Sequence, residues 1–201
     1  MINNSQELVA IARYAAERHW CPATGGNFSA RIDDKHMSIT ASGGDKGKLT
    51  VDDILTVDLS GKVINSNRKP SDETLLHGAL YELDPTIHAV LHVHTIANTV
   101  LSKYHTQPIL VLNNYEMFKP LRGNTTHDMA LEIPIFENTQ DMQTLAKELK
   151  RNWSTFKNSY GFLVRGHGCY AWGNSIPEAK RHLEALEFLF ACELEMLKLK
   201  A

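Results

Sequence analysis

Apolar residues recur along this chain with two different periods, and the switches between them mark out its elements. From 5 to 19, Leu8, Ile11, Ala12, Ala15 and His19 fall on one helical face, and Asn4 followed by Glu7 reads as a variant capping box. A Gly-rich turn, Cys21-Pro22-Ala23-Thr24-Gly25-Gly26-Asn27, breaks that pattern. Short β-prone runs follow at 28–32, 37–41, 54–58 and 62–64, separated by Asp, Gly and Lys turn signals, and these predict neighbouring antiparallel strands. Pro70-Ser71-Asp72-Glu73 opens a helix over 73–83 that turns Leu75, Leu76, Ala79, Leu80 and Leu83 inward.

The run Ala89-Val90-Leu91-His92-Val93-His94 is short, apolar and β-branched and follows Pro85, so it predicts a strand. A helix is expected over 95–103, strands over 109–113, 131–136, 161–166 and 169–172, and a helix over 141–152. The last segment, 176–199, carries an apolar stripe of Ala179, Leu183, Leu186, Leu189, Phe190, Leu194 and Leu197 behind a capping box of Ser175 and Glu178, with Pro177 in the first turn. Strand clusters interleaved with helices predict an α/β protein whose central sheet, antiparallel or mixed, is covered by helices.

With 201 residues and no internal repeat or linker, the chain is read as one domain over 1–201. Its 43% hydrophobic and 22% charged content is that of a globular protein needing no staples. A formal charge of −2 leaves no global basic field for nucleic acid or an anionic membrane. Cys21, Cys169 and Cys192 are odd in number and far apart, which argues against a disulfide framework or a four-cysteine zinc site and fits a reducing cytoplasm. The first residues show no basic and apolar signal pattern, and no apolar run approaches the roughly 18 residues of a membrane span.

The candidate chemistry lies in histidines. His92 and His94 are two apart on a predicted strand, so both point to one face, where two imidazoles could meet one metal. The alternative is that they are packed or hydrogen-bonded core residues. His167 follows another predicted strand and stands between Gly166 and Gly168, which permit tight turning. Three neutral imidazoles on zinc leave an open position, as catalytic rather than structural sites do. His19, His36, His77, His88, His105, His127 and His182 lack comparable pairing and read as structural or exposed.

Three clusters of small, hydroxylated or amide residues, Thr24 to Ser29, Thr40 to Gly44 and Ser71-Asp72, could cradle a phosphate through backbone N–H groups without a dedicated arginine. Each is also what an ordinary turn looks like. Glu73 at a helix start and Glu116 after an apolar strand are the two carboxylates that stand out by context.

Together, Gly25 to Ser29, Thr40 to Gly43, Pro70 to Glu73, His92-Val93-His94 and Gly166-His167-Gly168 resemble, in order and spacing, class II aldolases and their epimerase relatives over residues 8–195. Glu73 to His77, Tyr115-Glu116-Met117, Ile135 to Thr139 and Arg165 to Gly173 resemble the dehydratase members, and Glu116 stands near where the aldolase branch has a tyrosine proton donor. The resemblance implies a three-layer α/β/α fold around a mostly antiparallel sheet and a homotetramer with sites near subunit interfaces. It implies one zinc ion per subunit on His92, His94 and His167, with Glu116 as acid/base and Glu73 as a second catalytic carboxylate. The expected substrate is a small phosphorylated sugar that loses water, its phosphate among Thr24, Asn27, Thr40, Ser42, Gly43, Ser71 and Asp72. The rival readings are another class II aldolase or epimerase, or a non-catalytic module like the adducin head.

Overall fold

The computed structural model describes residues 4–64 and 66–200. α1 (Asn4–Glu17) leads into β1 (Asn27–Arg31), β2 (His36–Thr40) and β3 (Ile54–Asp58), and α2 (Thr74–Leu83) separates these from β4 (Ala89–Val93). α3 (Ile96–Tyr104), β5 (Ile109–Asn113) and β6 (Ala130–Phe136) come next, then α4 (Met142–Phe156), β7 (Gly161–Val164), β8 (Gly168–Gly173) and the long α5 (Ile176–Lys200).

All eight strands form one sheet in the order β3-β2-β1-β4-β8-β7-β6-β5. Every neighbouring pair is antiparallel except β6 and β7. Because side chains alternate along a strand, β4 feeds two cores. Ala89, Leu91 and Val93 join Leu8 and Ile11 of α1, Leu101 of α3 and Leu183 and Leu186 of α5. Val90 faces the other way, toward Leu76 and Leu80 of α2 and Leu145 and Leu149 of α4. Helices therefore cover both faces of the sheet, the three-layer α/β/α arrangement that the resemblance implies. His92 shares the face of Val90 and emerges on the α2 side.

Some expectations change. Residues 62–64 form no strand and meet β3 through a single bridge between Val57 and Val63. The cause is Asp58, whose carboxylate gathers the N–H groups of Ser60 and Lys62 into a tight turn. Asn4 stands inside α1 as its first residue rather than ahead of it, and its Nδ2 donates to the Arg31 carbonyl at 3.1 Å, tying the helix to β1. At α5 only half of the expected capping box forms. The Glu178 N–H donates to Ser175 Oγ at 3.3 Å, but the Glu178 carboxylate accepts from the Asn174 N–H at 2.7 Å. α4 runs on to Phe156 because Trp153 and Phe156 join the aromatic cluster of Phe136, Phe162 and Trp172.

Candidate active site

β4 is buried on both faces between β1 and β8, and the chain leaves it through His94 into the first turn of α3. That exit is held from several sides. Thr95 caps α3, accepting from the Asn98 N–H at 3.1 Å. Glu187 of α5 accepts from Thr95 Oγ1 at 2.7 Å and from Asn98 Nδ2 at 2.8 Å. Burial pushes the Glu187 carboxyl up to about 7, against these two hydrogen bonds.

The His92 ring stacks on Tyr170 at 4.0 Å between centroids, and its Nδ1 lies 2.9 Å from the Cys169 carbonyl. A carbonyl can only accept, so Nδ1 carries the proton and Nε2 is bare, the tautomer a metal ligand needs. That bare Nε2 is 2.7 Å from Nε2 of His94. His167, in the turn from β7 to β8, brings its ring centroid to 5.0 Å from His92 and 4.7 Å from His94. Glu73, just ahead of α2, puts Oε1 at 2.9 Å from His167 Nε2 and 3.6 Å from His92 Nε2.

One ligand atom from each of Glu73, His92, His94 and His167 lies within 4.8 Å of all the others, so these four residues could hold a metal ion. The donor set fits one. Burial holds His92 well below the usual imidazole range and His94 at about 4, so both are neutral near pH 7. Neutral imidazoles with a carboxylate suit zinc or another divalent transition ion. Burial pushes Glu73 up, but the hydrogen bond to His167, the electrostatic pull of the facing imidazoles and the bond from Asn27 outweigh it and hold Glu73 far below the ordinary carboxylate range.

The backbone approaches this cluster where only glycine fits. A Cβ on Gly25 would stand 2.7 Å from His94 Nδ1. One on Gly168 would meet the Val93 carbonyl at 2.4 Å and the His92 and His94 rings at 2.8 Å.

Behind Glu73 runs a buried hydrogen-bond chain. Asn27 Nδ2 donates to Glu73 Oε2 at 2.5 Å, Asn27 Oδ1 is 2.6 Å from His77 Nε2, and His77 Nδ1 is 2.7 Å from Ser29 Oγ, which lies 2.7 Å from the Tyr81 hydroxyl. The carboxylate sets every direction. Since it can only accept, Asn27 presents its amide N–H and turns Oδ1 to His77. His77 must then donate from Nε2, leaving Nδ1 to accept from Ser29, whose oxygen accepts from Tyr81.

The other candidates separate into groups. Ser71 lies in the cluster, its Oγ accepting from the Glu73 N–H at 3.3 Å. Thr40 is fully buried, and its hydroxyl accepts from the Phe28 N–H at 3.1 Å. The Ser42 N–H goes to the Lys69 carbonyl at 3.1 Å, while Gly43, at φ 75°, has nothing within 4 Å of where a Cβ would be. Thr24 and Asp72 are exposed. Glu116 is not among the clustered residues. It opens a short turn of 3₁₀ helix with its side chain 69% exposed, against Lys119 and 3.5 Å from His127. The hydrogen bond to Lys119 holds its carboxyl below the usual range.

Sequence reasoning placed neither His77 nor Tyr170 beside the site, where His77 bonds Asn27 and Tyr170 stacks on His92. Glu73 and His77 are one helical turn apart, which is a signal. No comparable spacing marks Tyr170.

Residues 6–194 match the family model for the class II aldolase and adducin N-terminal domain, and the chain belongs to this family. Within it, the chain is similar to the methylthioribulose-1-phosphate dehydratase of Pectobacterium atrosepticum, at 51% identity over 100% of this chain and 99% of that one. It is 49% identical to the same-named protein of Serratia proteamaculans, over all of both chains. Among solved structures, YgbL of Klebsiella pneumoniae, a putative aldolase/epimerase/decarboxylase, superposes with a TM-score of 0.81 at 25% identity, covering 96% of this chain and 88% of that one. An L-fuculose 1-phosphate aldolase superposes with a TM-score of 0.80 at 23% identity, over 98% and 87% of the two chains, and shares the fold.

Proposed function

We propose that this chain is a zinc-dependent hydro-lyase that removes water from 5-methylthioribulose 1-phosphate, giving 2,3-diketo-5-methylthiopentyl 1-phosphate, as a cytoplasmic step of methionine salvage. The observation that carries the reading is the convergence of His92, His94, His167 and Glu73 in a chain about half identical, end to end, to dehydratases of that name. No helix among the described residues is long and apolar enough to cross a membrane.

His92, His94 and His167 would hold one zinc ion per subunit. When bound, it supplies Lewis acidity toward a carbonyl oxygen. Glu73, held ionised, can accept a proton but not donate one, so it is suited to take the proton beside the carbonyl or to complete the ligand set. Protonation of the departing hydroxyl needs a second group, and the resemblance assigns that role to Glu116.

In the lone chain Glu116 faces water and a lysine, the opposite of what keeps a carboxylic acid protonated near neutrality. The role therefore calls for a neighbour: in a homotetramer, Glu116 of one subunit would enter the site of the next and leave Lys119 behind. Surfaces suited to such contact exist. The outer face of α3 shows Ile96, Val100 and Tyr104 at 78%, 40% and 64% exposure, with Phe188 of α5 at 51%. The phosphate would sit among Asn27, Ser71, Ser42 and Gly43, with Thr24 at the rim. Thr40 would support the cradle from the core, and Asp72 would stand outside it.

The test is incubation of the zinc-loaded protein with methylthioribulose 1-phosphate and identification of the products. A phosphorylated diketone formed with loss of water is the expected result. A triose phosphate with an aldehyde would make the protein an aldolase. A protein that neither binds metal nor turns over the substrate would be a non-catalytic member of the family.

A further inference from the structure

Lys46 is a cation enclosed by the fold. The residue is 2% exposed, yet no carboxylate oxygen among the described residues lies within 4.0 Å of its Nζ. Two backbone carbonyls hold it instead, Thr24 O at 2.7 Å and Gly44 O at 2.9 Å. A buried ammonium is costly unless an anion compensates it. Burial accordingly pulls the Lys46 pKa below the usual lysine range, with Cys21, Asp45 and Glu73 acting only through longer-range charge. An ammonium also carries three donors, and among the described residues two of them are met.

The two carbonyls belong to the two loops that carry the candidate phosphate ligands. The first loop is strained. Ala23 and Thr24 both adopt left-handed backbone, at φ 50° and 66°, just ahead of Gly25, Gly26 and Asn27. For a β-branched residue such as Thr24 that conformation is a marked outlier, and such strain persists where surrounding contacts impose it. Lys46 is one of those contacts. In the second loop Gly43 opens onto free space beside the ammonium's other anchor, Gly44.

We propose that Lys46 is the missing cation of the phosphate subsite: it clamps the two loops through their carbonyls and supplies the positive charge that a phosphate dianion neutralises on binding. The polar turns of this subsite bring N–H and hydroxyl donors but no net charge, and Glu73 nearby is negative. Lys46 balances that. The inference rests on the proposed function for the place of the phosphate subsite and for the identity of the phosphorylated molecule, though any phosphomonoester would present the same dianion. Lys46 is thus a substrate-binding residue that selects phosphorylated over unphosphorylated sugars.

The test uses the metal-loaded protein with inorganic phosphate as probe, by calorimetric titration, in wild type, Lys46→Gln and Lys46→Arg. Charge-assisted contacts of this kind lead us to expect phosphate affinity to fall by about tenfold or more in Lys46→Gln and to stay within about threefold in Lys46→Arg, with metal content unchanged in both. With methylthioribulose 1-phosphate, Lys46→Gln should raise KM by a similar factor and change kcat by less than about threefold. Phosphate affinity within about twofold of wild type in Lys46→Gln overturns the proposal, as does equal loss in both variants, because a clamp without an electrostatic role does not distinguish charge. Should neither variant fold, the wild type decides. With ¹⁵N-labelled lysine, the Nζ resonance of Lys46 must shift on titration with inorganic phosphate, and its constancy at saturation refutes the assignment. A wild-type protein that binds phosphate through Lys46 but does not dehydrate methylthioribulose 1-phosphate would sink the proposed function and leave this inference standing.

Discussion

Replacing His77 tests whether the buried chain behind Glu73 does what its geometry requires. His77→Leu fills nearly the same volume but removes both ring nitrogens, so Asn27 Oδ1 loses its donor and the Ser29 hydroxyl loses its acceptor inside a water-free layer. A buried polar group without a partner costs about 1–3 kcal/mol, so the variant should lose about 2–6 kcal/mol. For a chain of this length that is roughly 5–20 °C in Tm. His77→Gln keeps an N–H directed at Asn27 and should recover about half of the loss. Burial also holds His77 down at about 3 against an ordinary 6.5, so the unfolded chain binds a proton that the folded one refuses. The sign follows: this contribution is complete above pH 6.5 and is lost as pH falls toward 3, at about 1.4 kcal/mol per unit. Thermal unfolding across pH 3–7 reads both effects, and both variants should show a shallower acid limb than wild type. A His77→Leu protein within about 2 °C of wild type and with the same acid slope would refute the directional chain.

Three further outcomes follow from the site. Gly168→Ala drives a Cβ to 2.4 Å from the Val93 carbonyl and into both imidazoles, so metal analysis of the purified variant should show bound metal largely lost, and full occupancy would contradict the close approach. If Glu116 serves a neighbouring site, Glu116→Gln and His94→Ala proteins, each inactive alone, should regain about a quarter of wild-type activity when refolded together in equal amounts, whereas a mixture that stays inactive places the acid elsewhere. Glu187, raised from 4.5 to about 7 in the fold, contributes stability below pH 4.5 that is lost as pH rises through 7, so Glu187→Gln should flatten Tm against pH over that window, and an unchanged profile would deny that Glu187 titrates there.

How much of this was legible beforehand depends on the range of the interactions. Helix and strand periods are local, and the elements appeared near their predicted bounds. Period-two spacing likewise put His92 and His94 on one face without any knowledge of neighbours. The misses came from side chains acting on nearby backbone, as when Asp58 closes a turn where a strand was expected. His167 joins the cluster through the antiparallel register of β4 with β8, where Val93 stands opposite Cys169, and no spacing in the chain encodes that pairing. The partners of His77, Asn27 and Ser29, lie on a strand that precedes it by about fifty positions, as the gaps of 50 and 48 residues show. Lys46 resembled any surface lysine until the two loops closed over it.

Environment rather than residue type separates the two carboxylates. Glu73 is enclosed, which alone would disfavour charge, but the N–H from Asn27 and the His167 imidazole outweigh that and favour its charged form. That environment suits a ligand or a base rather than an acid. Glu116 lies outside the enclosure, stabilised as an anion by Lys119. To act as an acid it must exchange that lysine for a site where negative charge is costly. Within one subunit no described contact provides such a place, and the dense negative charge the reaction itself would bring is the substrate phosphate with Glu73. Docking Glu116 beside that pair in another subunit would remove its water, raise its pKa and couple catalysis to assembly. The four candidate metal ligands converge within one chain, and under the proposed function the acid is what the assembly would add. Dilution that dissociates the subunits should therefore abolish turnover while each chain keeps its metal. Turnover by an isolated monomer would show that the acid comes from the same chain.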